Sequence, residues 1–119
     1  MEDWHFHLST LFPEIRPKEF FEIRSPDMIA IGDLAAPLVF VSGLVYDDDA
    51  AMKARRLLPD PSESLLRVAG KEGLANESVR SKARELVEIA IEGAGRLPRD
   101  YLSAVHLESA REWLTARMA

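Results

Sequence analysis

The chain contains no cysteine, which removes disulfides, thiolate metal ligands and thiol nucleophiles together. Basic residues are in deficit: 15 Lys plus Arg stand against 20 Asp plus Glu, a net charge of −5 over 119 residues. Such a surface does not neutralise phosphates, so sequence-independent nucleic-acid binding is not expected. Long apolar runs are missing too. The most apolar stretch, Leu34 to Tyr46, is broken by Pro37, Ser42 and Gly43 and falls far short of the roughly 20 residues that cross a bilayer. It reads as a buried helix, and no membrane partner is expected. The opening Met1-Glu2-Asp3-Trp4-His5 has neither the basic start nor the apolar run of a secretory signal, so the expected compartment is the cytoplasm. With 47% hydrophobic residues and no repeat or low-complexity stretch, residues 1–119 read as a single soluble domain.

The pattern changes near residue 28. Over 5–12, Phe6, Leu8, Thr10 and Phe12 alternate with His5, His7, Ser9 and Leu11, the period of a half-buried strand. Over 18–25, Phe21 and Ile23 share one face while Phe20, Glu22 and Arg24 share the other. Pro13 and Pro17 bracket a connection of hairpin length between these antiparallel strands. About five helices follow over 33–118, giving an α+β fold. Asp33 is the expected N-cap of the first, with Pro37 in its first turn. Asp47-Asp48-Asp49 caps the second, which ends on Lys53, Arg55 and Arg56 as the helix dipole prefers. Asp60-Pro61-Ser62-Glu63 starts the third, which Gly70 and Gly73 end after about Ala69. Asn76 begins the longest helix, with Val79, Ala83, Leu86, Ala90 and Gly93 as its inner stripe and Gly95 and Pro98 as its stop. The last helix, from about Arg99 to Met118, is expected to bury Leu102, Val105, His106, Ala110, Trp113 and Leu114.

The sharpest local feature is Phe20-Phe21-Glu22-Ile23-Arg24-Ser25-Pro26-Asp27. A strand presenting a carboxylate and a guanidinium two residues apart on one face can hold a divalent cation beside an anionic group. Arg16, in the connection, adds a second guanidinium. The plainer reading of the same residues is a cross-strand ion pair on a solvated face. His5-x-His7 suits a transition metal by spacing, but no third ligand follows at a diagnostic distance. The Asp47 to Asp49 run lacks the alternation of a calcium loop, and helix capping accounts for it. His106 reads as a core histidine.

Further weight comes from a resemblance. The segment His7-Leu8-Ser9-Thr10-Leu11-Phe12-Pro13-Glu14-Ile15-Arg16-Pro17-Lys18, then Phe21-Glu22-Ile23-Arg24, then Pro37 to Asp47 ending Gly43-Leu44-Val45-Tyr46-Asp47, resembles the C-terminal region of glutamate–cysteine ligases of the plant and proteobacterial type. Leu102-Ser103-Ala104-Val105 is similar to the family's Leu-Asn-Ala-Val, and the second strand resembles the Glu-x-Arg-x-Pro-Asp element of the distantly related glutamine synthetases. The chain departs from the family at Phe6, at Pro17 and at Ser25-Pro26-Asp27, which marks a divergent branch.

The resemblance implies a C-terminal piece of a glutamine synthetase-like ligase fold, taking glutamate, cysteine and ATP with Mg²⁺ as cofactor. It assigns Glu22 to the metal, Arg24 and Arg16 to a phosphate or substrate carboxylate, and His7 and Thr10 to the site's edge. Family enzymes are several times longer, with most active-site strands preceding this region. The chain alone is therefore expected to be inactive and to hold neither Mg²⁺ nor ATP tightly. A self-standing, non-catalytic binding or assembly module is the second reading. Either way, a lone strand pair rich in Phe6, Phe12, Phe20 and Phe21 leads us to expect a two-fold dimer through the strand or sheet surfaces.

Overall fold

The computed structural model describes residues 15–17, 19–25, 28–58 and 63–118. It divides into two compact units, Met1–Ala30 and Ile31–Ala119. The first holds strands β1 (Ile15–Pro17) and β2 (Phe21–Ile23), paired antiparallel with Ile15 opposite Ile23, Arg16 opposite Glu22 and Pro17 opposite Phe21. The strand expected over 5–12 lies outside the described residues. β1 instead falls in the stretch read as a connection. Among the described residues the sheet has two strands, so Pro17 at the end of β1 forgoes a donor that an edge position does not need. β2 lies within the expected 18–25 but is only three residues long.

The described residues of the second unit form five helices: α1 (Ala35–Val45), α2 (Asp48–Leu57), α3 (Glu63–Glu72), α4 (Glu77–Arg96) and α5 (Ala104–Met118). Two strands and five helices make the α+β class that the patterning predicts. Asp33 does not cap α1. It closes a single 3-10 turn, Ile31–Asp33, and Leu34 takes the cap position without a side-chain bond. Asp47 caps α2 as expected, its carboxylate accepting from the Ala50 N–H at 2.8 Å, with Asp48 and Asp49 in the first turn and Arg55 and Arg56 in the last. Asp60, Pro61 and Ser62 lie outside the described residues. α3 runs through Gly70 and stops at Glu72, because the turn is made at Gly73, whose φ of +54° lies where glycine is at ease. Asn76 caps α4, accepting from the N–H groups of Ser78 at 3.1 Å and Val79 at 3.3 Å. α4 passes through Gly95 and ends at Arg96, ahead of Pro98.

α4 is the central helix, packing against α1, α2 and α5. One stripe does not serve three neighbours. Val87, Ile89, Ala90, Ile91, Gly93 and Ala94 are all buried, while the expected Val79, Ala83 and Leu86 are half-buried. Val87, Ile91 and Ala94 join Ala36 and Val39 of α1 and Leu107, Ala110 and Leu114 of α5 in the core. α5 starts five residues later than expected, because the Tyr101 and Leu102 N–H groups both turn back to the Pro98 carbonyl, each at 3.1 Å. Its buried phase runs through Leu107 rather than His106. Neighbouring residues sit about 100° apart on a helix, so His106 and Val105 point to solvent, contrary to the expectation of a core histidine. α1 is likewise less covered than its composition suggests: Ala36, Val39 and Gly43 are buried, but Leu34, Leu38 and Val45 are exposed.

α1 and α4 meet backbone to backbone. A methyl built on Gly43 would collide with the Ala90 carbonyl and reach the Ala94 nitrogen at 2.9 Å; one built on Gly93 would collide with the Gly43 carbonyl and lie 2.8 Å from the Ala50 methyl. Backbone atoms of packed helices cannot step aside as a flexible side chain can. Gly43→Ala should therefore cost at least about 3 kcal/mol in urea unfolding, the upper range for overpacking. Gly95→Ala, where an added methyl meets nothing within 4 Å, should be neutral or stabilise by up to about 1 kcal/mol. Similar effects from both would remove the close crossing as the cause.

An ion cluster ties the start of α2 to the end of α4. The Arg96 guanidinium donates to both Asp47 oxygens, at 2.9 and 2.7 Å, and approaches Asp49 at 3.4 Å. Lys53 lies 3.0 Å from Asp49 and 3.5 Å from Glu92. Arg96, and then the Ala50 N–H, hold the Asp47 carboxyl down at about 2, against an ordinary 3.8. A carboxyl lowered in the folded state stabilises above its unfolded pKa and loses that contribution as pH falls through the folded one. Asp47→Asn keeps a capping oxygen but removes the charge. The melting temperature of the native chain should exceed that of Asp47→Asn at pH 5, and the gap should close between about pH 4 and pH 2 in a thermal melt series.

Candidate functional site

Of the five site residues that the resemblance assigns, Arg16 and Glu22 lie in the described strand pair and Arg24 directly follows β2. The register sets Arg16 directly opposite Glu22, with Nη1 and Oε2 3.8 Å apart. Arg24 follows Glu22 by two residues, the spacing that returns a side chain to the same face. Exposure alternates accordingly: Glu22 and Arg24 are half-buried, whereas Phe21 and Ile23 are exposed, Phe21 at 76%. This inverts a half-buried strand, in which the apolar face would be the covered one. A carboxylate flanked by two guanidinium groups can grip an anion with its cations and offer oxygen to a hard metal. His7 and Thr10 lie outside the described residues, as does His5.

Among the described residues no group of three or more His, Asp or Glu is placed to hold a metal. Glu22 is thus one carboxylate rather than a ligand cage. Mg²⁺ is commonly held through one or two carboxylates with substrate phosphates and water completing its shell, and a single strand glutamate fits that share.

The helical unit adds polar groups of a different kind. Ser103 Oγ lies 2.9 Å from His106 Nδ1 and accepts from the His106 N–H at 3.4 Å, which closes the first turn of α5. Beside it runs a groove of about 480 Å³ whose lining includes Leu38, Ser42, Tyr101 and His106. Two segments far apart in sequence, 31–42 and 101–106, build this groove, so no local spacing announces it. The Asp47 to Arg96 bond, across 49 residues, is equally silent in sequence.

The model for glutamate-cysteine ligase family 2 matches residues 1–112. The chain belongs to this family. It is 34% identical over 118 residues to the chloroplastic glutamate–cysteine ligase of Arabidopsis thaliana, covering 92% of this chain and 22% of that one. It is 32% identical over 104 residues to the chloroplastic glutamate–cysteine ligase A of Oryza sativa subsp. japonica, covering 81% and 21%. With the glutamate–cysteine ligase EgtA of Mycobacterium tuberculosis, identity is 29% over 103 residues, covering 87% and 23%. The chain thus spans about a fifth of the length of these curated relatives. No solved structure matches.

The family-like residues sort by position in the fold. Gly43 makes the α1–α4 crossing, Tyr46 stands edge-on to Tyr101 with ring centroids 5.7 Å apart, and Asp47 caps α2 and holds Arg96. Gly43-Leu44-Val45-Tyr46-Asp47 therefore serves the architecture of this ligase-family segment. The partly exposed Arg16–Glu22 pair, at 3.8 Å, contributes only about 0–1 kcal/mol. Glu22→Gln should leave the urea midpoint of the helical unit unchanged; a clear loss there would make Glu22 a structural residue.

Proposed function

We propose that the chain forms one wall of the active site in an ATP-dependent ligase that joins glutamate to cysteine, as the C-terminal segment of the enzyme. The observation that supports this reading is the shared face of Arg16, Glu22 and Arg24 on the strand pair of a chain that matches the glutamate–cysteine ligase family over residues 1–112. In the proposed reaction a γ-carboxylate oxygen of glutamate attacks the γ-phosphorus of ATP, releasing ADP and leaving an acyl phosphate. The cysteine amine then attacks the acyl carbon, phosphate departs, and the nitrogen gives up a proton. The product is γ-glutamylcysteine, a precursor in glutathione biosynthesis.

Negative charge accumulates on the transferring phosphoryl group, and fixed guanidinium groups stabilise it without reorganising. Arg24 and Arg16 take that part or bind a substrate carboxylate, and His7 and Thr10 line the edge of the site. Glu22 would hold Mg²⁺, which when bound would offset phosphate charge. Arg16 opposite Glu22 keeps the carboxylate oriented before the ion arrives. None of the described helices is long and apolar enough to cross a membrane. We place the reaction in the cytoplasm, although the plant relatives are named as chloroplastic.

Two strands do not surround a nucleotide and two amino acids. The chain alone should show no ADP release that depends on glutamate and cysteine, and turnover above a Glu22→Ala control would overturn that. In a complete ligase polypeptide carrying this segment, Glu22→Gln and Arg24→Lys should each lower turnover at least about tenfold, because metal ligation and bidentate grip do not survive those changes. Full turnover in both variants would return these residues to the plainer reading, a cross-strand ion pair on a solvated face.

A further inference from the structure

Arg16 and Glu22 stand opposite each other in the strand register, Nη1 and Oε2 3.8 Å apart, with side chains 29% and 36% exposed. The ligase reading gives the two residues different ligands, a divalent cation to Glu22 and a phosphate or carboxylate to Arg16. Paired, they compete with both. A carboxylate facing a guanidinium offers a cation less net charge, and an incoming divalent cation meets the like charge of Arg16. A guanidinium facing a carboxylate sets the like charge of Glu22 against an incoming anion.

We propose that this pair is a charge exchange, in which a divalent cation at Glu22 and an anion at Arg16 each bind more readily once the other is present. The inference rests on the ligase reading and adds to it a coupling between the two ligands. Its physical basis is that the pair is broken only once, by whichever ligand arrives first. An anion that draws Arg16 away leaves the carboxylate to the cation, and a cation on Glu22 leaves Arg16 to the anion. Coupling of this kind is reciprocal by thermodynamic necessity, so each ligand favours the other by the same factor.

The spacing suits an exchange. At 3.8 Å the pair lies beyond the reach of a hydrogen bond, so little is lost when it opens. Asp47 and Arg96 show the opposite geometry, two short bonds of 2.9 and 2.7 Å, with the Ala50 N–H on the same carboxylate. Such a charge-assisted, two-point grip fixes helices and does not release its partner cheaply. A pair worth as little as Arg16 with Glu22 sets the coupling at about twofold to fivefold.

Titration of the chain with magnesium chloride and with sodium sulfate, at constant ionic strength, tests it. Nuclear magnetic resonance at the Glu22 carboxylate carbon and at Arg16 Nε reads each partner separately, and this local readout suits weak binding. Backbone signals of residues 15–17 and 21–23 verify the strand pair in each variant. Saturating sulfate should tighten Mg²⁺ at Glu22 about twofold to fivefold. Arg16→Gln should tighten Mg²⁺ by the same factor without sulfate and abolish the effect of sulfate. Glu22→Gln reads the exchange from the other side and should tighten sulfate at Arg16 with no metal present. An Mg²⁺ affinity that Arg16→Gln leaves unchanged, or a sulfate affinity that Glu22→Gln leaves unchanged, would overturn the exchange while leaving Glu22 to the metal. No Mg²⁺ response at Glu22 in either the native chain or Arg16→Gln would overturn the metal role on which the exchange rests.

Discussion

The helical unit depends on the contact between the backbones of Gly43 and Gly93. Helices usually stand 8–10 Å apart, at the distance their side chains dictate. Where both side chains are a hydrogen atom, main chain meets main chain, and everything packed beside that contact is fixed by it. Val39 is fully buried one turn before Gly43, and Ala90 and Ala94 lie on α4 on either side of Gly93. Small residues line this seam because nothing larger fits, while Ile91, Leu107 and Leu114 fill the wider space toward α5. The same crossing sets the Ala50 methyl of α2 against Gly93, so three helices are registered by one pair of glycines.

With α1 and α4 so placed, the short link from Val45 to Asp48 delivers the start of α2 to the end of α4. Asp47 then does two things at once: it satisfies a free N–H of α2, and it binds the guanidinium of Arg96. Each makes the other more favourable, since the backbone donor and the cation both stabilise the ionised carboxylate. A segment of five residues, Gly43 to Asp47, therefore specifies a crossing, an aromatic contact and a cap. Family resemblance over that segment reflects how the bundle is assembled rather than its chemistry.

The strand pair answers to a different constraint. Its described residues supply little packing of their own, and its charged face rather than its apolar face is the covered one. The ion pair of Arg16 with Glu22 on that face is loosely spaced and adds little to stability. The ion cluster at Asp47 is tighter, and its charges hold two helices together.

Sequence alone determined much of this protein. The helix starts at Asp47 and Asn76 were legible because a capping side chain bonds to backbone only two or three residues away, within reach of local spacing. The two faces of β2, and with them the shared side of Glu22 and Arg24, were legible from a period of two. The family was legible in the motif around Phe12 and Pro13. The tertiary structure decided the rest. Arg16 faces Glu22 because β1 begins where prolines had suggested a connection, and register belongs to two strands at once. His106 is exposed because α5 starts late, and that start is set by turns onto Pro98. Leu38 is exposed although its helix is apolar nearly throughout, because composition records how much surface a helix can bury, and only the arrangement of its neighbours determines which side they cover.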